Sequence, residues 1–148
     1  MILKIRNFRS GWTFLFAALF GFNAFAQPTP GVFQQYLLNN VERKGSGITY
    51  HKEIQEFYAF IGYQTVWIQQ KDTTKLSRLL SLLSIAANWG LREQDYQYRF
   101  ISAYKNGTSV PKSQEDSLRA EIFFTDAAIH FLRDVAYGNT VPALNYSG

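Results

Sequence analysis

The chain has 148 residues, with 15 basic and 11 acidic side chains, a formal net charge of +4 and no cysteine. Zero Cys excludes disulfides, thiolate metal sites, lipoprotein acylation and a cysteine nucleophile. Lys4, Arg6 and Arg9 lie in the first 26 residues, which hold no acid; the rest balances 12 bases against 11 acids, so nucleic-acid binding has no support.

Those first 26 residues have the layout of a secretory signal peptide. A basic segment precedes the 11-residue apolar run Trp12–Phe22, and Ala24-Phe25-Ala26 is a small-x-small cleavage site before Gln27. The run is short of the roughly 20 residues of a membrane span, so no stable span is expected after cleavage. The 122 residues from Gln27 onward suffice for one domain with a modest core. Eighteen of the 25 aromatics fall in this mature part. They imply a core built on bulky rings or an exposed docking surface.

A Pro-rich lead-in, Gln27 to Gly31, comes first. Phe33, Leu37 and Val41 recur every four residues and predict a short first helix ending near Arg43. Ile54, Phe57, Tyr58 and Ile61 form the apolar face of a second helix, stopped by Gly62. Gln64 to Ile68 is expected as a brief extended segment with no partner strand. Asp72, Thr73 or Thr74 caps a third helix. Its stripe is Leu76, Leu79, Leu80, Leu83 and Ala87, widened by Leu82 and Ile85, with Gly90 and Leu91 closing a Schellman motif. A fourth helix is expected from about Asp95 to Tyr104, ending at Asn106-Gly107.

Ser113 with Asp116 forms a capping box for the last helix. Leu118, Ile122, Thr125, Ile129, Leu132 and Ala136 then alternate steps of four and three, broadened by Phe123, Ala127, Ala128 and Phe131. This is expected to be the central, most buried helix, stopped by Gly138. The whole is an all-α, compact bundle of about five short-to-medium helices. Leu79, Leu83, Ile122, Ile129 and Leu132 are expected among its most buried residues.

Catalytic patterns are scarce. Glu121 and Asp126 are five apart and point to different sides of their helix, which argues against a paired-carboxylate site. Glu93 and Asp95 serve the start of the fourth helix. His51 and His130, the two histidines, have no metal-site spacing. No serine sits in a Gly-x-Ser-x-Gly elbow, and there is no Gly-rich phosphate loop. Trp89 is expected to pack on Leu91. Tyr58, Tyr63 and Trp67 are the sharpest candidates for stacking on sugars, but the core reading is preferred: Tyr58 belongs to the helix face and Trp67 plugs the gap between two helices.

The ordered blocks Phe57-Tyr58, Gly62-Tyr63, Trp67, Trp89-Gly90-Leu91, Asp95-Tyr96, Thr125-Asp126-Ala127 and Tyr137-Gly138 resemble the non-catalytic scaffold domain of large multidomain murein L,D-transpeptidases. The resemblance covers about Ile54 to Pro142. It departs from the family at Trp89, where members often have His, and at Arg92-Glu93, where they often have an acidic residue and Pro. It implies a helical domain supporting a Cys- and His-bearing catalytic region that makes 3→3 peptidoglycan cross-links. This chain stops at Gly148 without those residues, so no catalytic role carries over. The expectation is a signal peptide (1–26), a lead-in with a short helix (27–53), a scaffold-like domain (54–142) and a truncated tail (143–148). The chain is then a fragment, a truncated reading frame or a free-standing scaffold, exported to the periplasm of a Gram-negative bacterium. It needs no cofactor or metal. Its expected partner is a transpeptidase catalytic domain or a related wall-synthesis protein, with peptidoglycan as an alternative. Tyr63, Trp67, Val141, Leu144 and Tyr146 are the candidate interaction surface. A helical binding module for a protein or wall glycan is the alternative class.

Overall fold

The structure is a computed structural model that describes residues 27–69 and 72–138. Residues 1–26, expected as a signal segment, and Val141, Leu144 and Tyr146 lie outside the described residues. Five α-helices occur in chain order: α1 Pro30–Asn40, α2 His51–Phe60, α3 Thr74–Ser84, α4 Tyr98–Lys105 and α5 Gln114–Tyr137. Short 3-10 turns, Ala86–Trp89 and Glu93–Tyr96, link α3 to α4. The protein is all-α, and among the described residues no strand occurs. None of the described helices is long and apolar enough to cross a membrane.

The helix signals act locally as their chemistry requires. Thr29 caps α1 and Ser113 caps α5, the latter taking the Asp116 N–H at 3.0 Å. The Asp116 carboxylate reaches back to the Lys112 N–H. Asp72, not Thr73, serves the start of α3, accepting from the Thr74 N–H at 2.9 Å. Gly62 takes φ +68°, so the Tyr63 N–H reaches Tyr58 O and the Gly62 N–H reaches Ala59 O. That closes α2 as a Schellman motif. Gly90, at φ +72°, closes the Ala86–Trp89 turn the same way, through Leu91 N–H to Ala86 O.

Three boundaries differ from the sequence expectation. First, α3 ends at Ser84, and the chain tightens into a 3-10 turn. That change of pitch buries Ala86, exposes Ala87 and leaves Leu82 and Ile85 about half exposed. Trp89, expected to pack on Leu91, is 59% exposed while Leu91 is buried. Second, the fourth helix begins at Tyr98, because Gln97 adopts a left-handed conformation. Asp95 faces Arg92 at 3.0 Å instead of capping that helix. Third, α1 stops at Asn40, although Val41 is still buried.

The 24-residue α5 separates two apolar clusters. Leu118 and Ile122 face Phe33 and Leu37 of α1 and Ile54 and Tyr58 of α2. Ala120, Phe124, Ala127 and Phe131 face Leu76, Leu79 and Leu83 of α3, with Tyr96 and Ile101. At about 100° per residue these two sets lie on opposite sides of the helix. The expectation of a central last helix therefore holds. Its alternating stripe is only one of the two buried faces, and it fails toward the C-terminus. Leu132 is 59% exposed, Ile129 is half-buried and Phe131 is the buried residue there. Of the expected core, Leu79, Leu83 and Ile122 are buried.

Candidate functional site

The two seams between the faces of α5 are each held by a carboxylate. Glu121 and Asp126 are about 140° apart on a 3.6-residue helix, one at each seam, and both are buried. They do point to different sides, but each side is covered by irregular chain. Asp126 Oδ1 accepts the Thr49 and Tyr50 N–H groups at 3.0 and 2.9 Å, anchoring the entry to α2. An acid at that helix start also opposes the positive end of its dipole.

Glu121 is the hub of the other seam. Its two oxygens accept the backbone N–H groups of Val66, Trp67 and Ile68, at 2.9 Å for Trp67 and 3.1 Å for Ile68. The Tyr58 hydroxyl donates to the same carboxylate at 2.8 Å. The expected extended segment at Gln64 to Ile68 is thus not a strand. It wraps its successive N–H groups around a side chain, which resolves the missing partner strand. Burial pushes the Glu121 carboxyl above its ordinary value, and the four donors offset only part of that rise.

This staple fixes Trp67. Its indole Nε1–H donates to Thr125 Oγ1 at 2.8 Å, and the half-buried ring packs against the α3–α5 cluster. The plug reading of Trp67 therefore describes its inner edge. Its outer side borders a groove of about 280 Å³ between α3 and α5. Val66, Leu79, Leu82, Ala128, Phe131 and Leu132 supply apolar walls, and Lys75 and Arg78 stand at the rim. The lining holds no carboxylate, imidazole or hydroxyl, and its apolar walls are suited to contact. Tyr63 is half-buried, in a left-handed conformation (φ +58°), and packs with the α1–α2 cluster instead of lining this groove.

Of the other singled-out groups, His51 begins α2 and its Nε2 is buried without a hydrogen-bond partner among the described residues, while His130 is engaged. His130 Nε2 lies 3.3 Å from Asp134 Oδ2, and its ring packs against Tyr50 and Tyr96. The Tyr96 hydroxyl donates to the same Asp134 oxygen at 2.7 Å. Arg133 pairs with Glu53 of α2 at 2.6 Å and covers the Tyr50 ring. Among the described residues no three His, Cys, Asp or Glu side chains gather to hold a metal ion.

Two tyrosines report on these seams. Burial, and then the Glu121 charge, pushes the Tyr58 hydroxyl well above 10.0. Burial, and then its bond to Asp134, does the same for Tyr96. The folded state holds both protons more tightly than the unfolded chain. Their contribution is therefore complete below about pH 10 and is lost as pH rises through the folded values. The urea midpoint is expected to fall steeply above pH 10, with phenolate absorbance from these rings emerging together with loss of helical circular dichroism. Ionisation of every tyrosine before any unfolding would show that neither ring is shielded.

Buried acids committed to backbone donors fasten four short helices and the 24-residue α5 into one helical unit. The chain belongs to the Scaffold domain family, whose model matches residues 52–147. The match agrees with the resemblance carried by the aromatic blocks from Phe57 to Gly138. It runs from α2 through α5, whereas α1 lies before it and packs into the same core through Phe33 and Leu37. No curated protein and no solved structure matches the chain.

Sequence reasoning missed Glu121 and Asp126 as the organising side chains. The available signal was their setting. Both are acids inside the stretch from Ala120 to Ala128, which is apolar but for them and Thr125, where a charge persists only if it is paired or hydrogen-bonded.

Proposed function

We propose that this chain is the non-catalytic scaffold domain of an L,D-transpeptidase-like protein of peptidoglycan cross-linking, exported to a Gram-negative periplasm. Its contribution is contact: it holds a transpeptidase catalytic region, or a related wall-synthesis protein, by the face that carries Trp67. The supporting observation is membership of the Scaffold domain family in a chain without a cysteine nucleophile. The apolar groove beside Trp67 gives that contact a place, because exposed Leu82 and Leu132 gain from being covered.

The test uses protein recovered from the periplasm of a Gram-negative host, with its N-terminus checked by mass spectrometry for Gln27. It is mixed with a separately made L,D-transpeptidase catalytic region and, in parallel, with purified sacculi. Binding to the catalytic region is expected, with a loss of about tenfold or more for Leu132→Asp, whose side chain is exposed and whose charge would enter the interface unpaired. Trp67→Ala is expected to weaken binding too. No 3→3 cross-links should form from tetrapeptide stems by this chain alone. Binding to sacculi only moves the assignment to a wall-binding module, and turnover of sacculi overturns both readings.

A further inference from the structure

A second cleft lies away from the Trp67 groove, along the N-terminal half of α5. It consists of two adjoining hollows that share Arg119 and Phe123 as a common wall. One, of about 450 Å³, lies between α4 and the start of α5 and is walled by Phe100, Tyr104, Val110 and Phe123. The other, of about 330 Å³, lies between the end of α1 and α5, with Arg43 and Lys44 at its edge. Both fall within the roughly 300–1,000 Å³ typical of ligand clefts.

The charges of this cleft are of one predominant sign and unspent. Arg43, Lys44 and Arg119 all line it and are solvent-exposed. Lys112 stands at the far end. None of the four takes part in an ion pair among the described residues. Two acids also line it, against four cations: Asp116, which accepts the Lys112 N–H, and Glu115, which makes no ion pair with Arg119 one turn on. Elsewhere Lys52, Arg92 and Arg133 lie against carboxylates, while the exposed Arg78 and Arg99 form no ion pair among the described residues, so it is the convergence of three cations on one cleft that marks this site. Three clustered cations without partners, beside an apolar hollow, match a ligand that carries carboxylates next to aliphatic groups.

The rings choose between a peptide and a sugar. A bound sugar needs a flat, open aromatic face. Here the Arg119 guanidinium lies over the Phe123 ring at 5.3 Å. Phe100 meets Phe123 edge-on at 6.1 Å and tilts against Phe124 at 5.6 Å. These rings are committed to one another and to Arg119, and with Val110 they wall an apolar hollow that suits aliphatic side chains. We propose that this cleft binds an acidic peptide segment, its aliphatic side chains between Phe100, Phe123 and Val110 and its carboxylates on Arg43, Lys44 and Arg119. The site is independent of the Trp67 groove, so either can fail without the other.

The test uses the protein produced with its own leader and purified. The probes are an end-blocked heptapeptide alternating Glu and Leu and a control alternating Gln and Leu. Saturable amide shifts at Lys44, Phe100 and Arg119 are expected with the Glu peptide alone. Its affinity should fall several-fold when salt rises from low to high, because exposed charges are screened. Arg119→Glu and Lys44→Glu should each weaken binding by the order of tenfold, since each puts a like charge against the ligand. Both residues are exposed, and an unchanged urea midpoint in either variant separates loss of binding from loss of fold. Equal binding of the two peptides, or undiminished binding by both variants, overturns the proposal. So does a preference of these residues for isolated glycan strands over the Glu peptide.

Discussion

Glu121→Ala is expected to cost about 3–5 kcal/mol, the range for breaking a buried, hydrogen-bonded charge arrangement. Four donors converge on this carboxylate: the N–H groups of Val66, Trp67 and Ile68 and the Tyr58 hydroxyl. Alanine leaves the three backbone N–H groups without their acceptor, each unsatisfied buried donor costing about 1–3 kcal/mol, whereas the Tyr58 hydroxyl keeps Thr125 Oγ1 as a partner. Some of that is recovered when water enters the seam, so the full sum is not expected. Small domains have only about 5–15 kcal/mol in total, so the variant should be barely folded at 37 °C. Glu121→Gln keeps the shape and one acceptor oxygen but turns an amide NH₂ toward backbone N–H groups. Its cost should fall between that of alanine and wild type. Urea unfolding followed by circular dichroism gives the size of the effect. Hydrogen exchange gives its location, because the amides of Val66, Trp67 and Ile68 should lose protection before those of α3. A loss below about 1 kcal/mol, the scale of a surface change, would mean that this carboxylate does not organise the fold.

The parts of the fold that are local in cause were legible in the sequence. Ser113 and Asp116 cap α5 through their own neighbours. Gly62 and Gly90 end their segments because a left-handed residue was required there, and both supply it. The spacing of Phe33, Leu37 and Val41 assigns burial correctly, whereas of the α2 face Ile54, Phe57, Tyr58 and Ile61 only Ile54 and Tyr58 are buried, Phe57 being exposed and Ile61 half-buried. The aromatic blocks that carried the family resemblance fall largely on these same elements.

What was not legible depends on contacts far apart in the chain. Val66 and Glu121 are separated by 55 residues and Tyr50 and Asp126 by 76, and no periodicity encodes either pair. The dismissal of Glu121 and Asp126 as a catalytic couple rested on their angular separation, which is correct. The same geometry conceals what they do, because a helix covered on both faces buries its seams as well. The end of α3 was misplaced for a related reason. Nothing in Leu82 to Trp89 distinguishes continued α-helix from a 3-10 turn; that choice places Ala86 under Leu91 and turns Trp89 outward. For the interaction surface, the groove beside Trp67 needs α3 and α5 set side by side. Sequence identified the ring but could supply neither Lys75 nor Leu132 as its neighbours.

Phe131 and Leu132 provide the sharpest separation between pattern and packing. The alternating stripe on α5 makes Leu132 a core position and Phe131 a supplement to it. The structure reverses them: Phe131 is 4% exposed and Leu132 is 59% exposed. The reason is that α5 turns a second face to α3, and Phe131 belongs to that face, set edge-on against the buried Tyr96 ring at 5.3 Å. Beyond Thr125 the first face has less to pack on: Ile129 still reaches the α1–α2 cluster, while Leu132 has emerged at the groove. Phe131→Ala is therefore expected to cost about 3–5 kcal/mol, the range for removing a buried ring and leaving its cavity. Leu132→Ala should cost less than about 1 kcal/mol, as an exposed substitution does. Paired urea titrations of the two variants measure the difference. Equal losses, or a larger loss for Leu132, would place α5 about one residue out of register with α3 and would remove the groove on which the docking proposal rests. A large loss confined to Phe131, together with intact folding but weakened partner binding for Leu132→Asp, separates the residue that holds the domain together from the one that faces its partner.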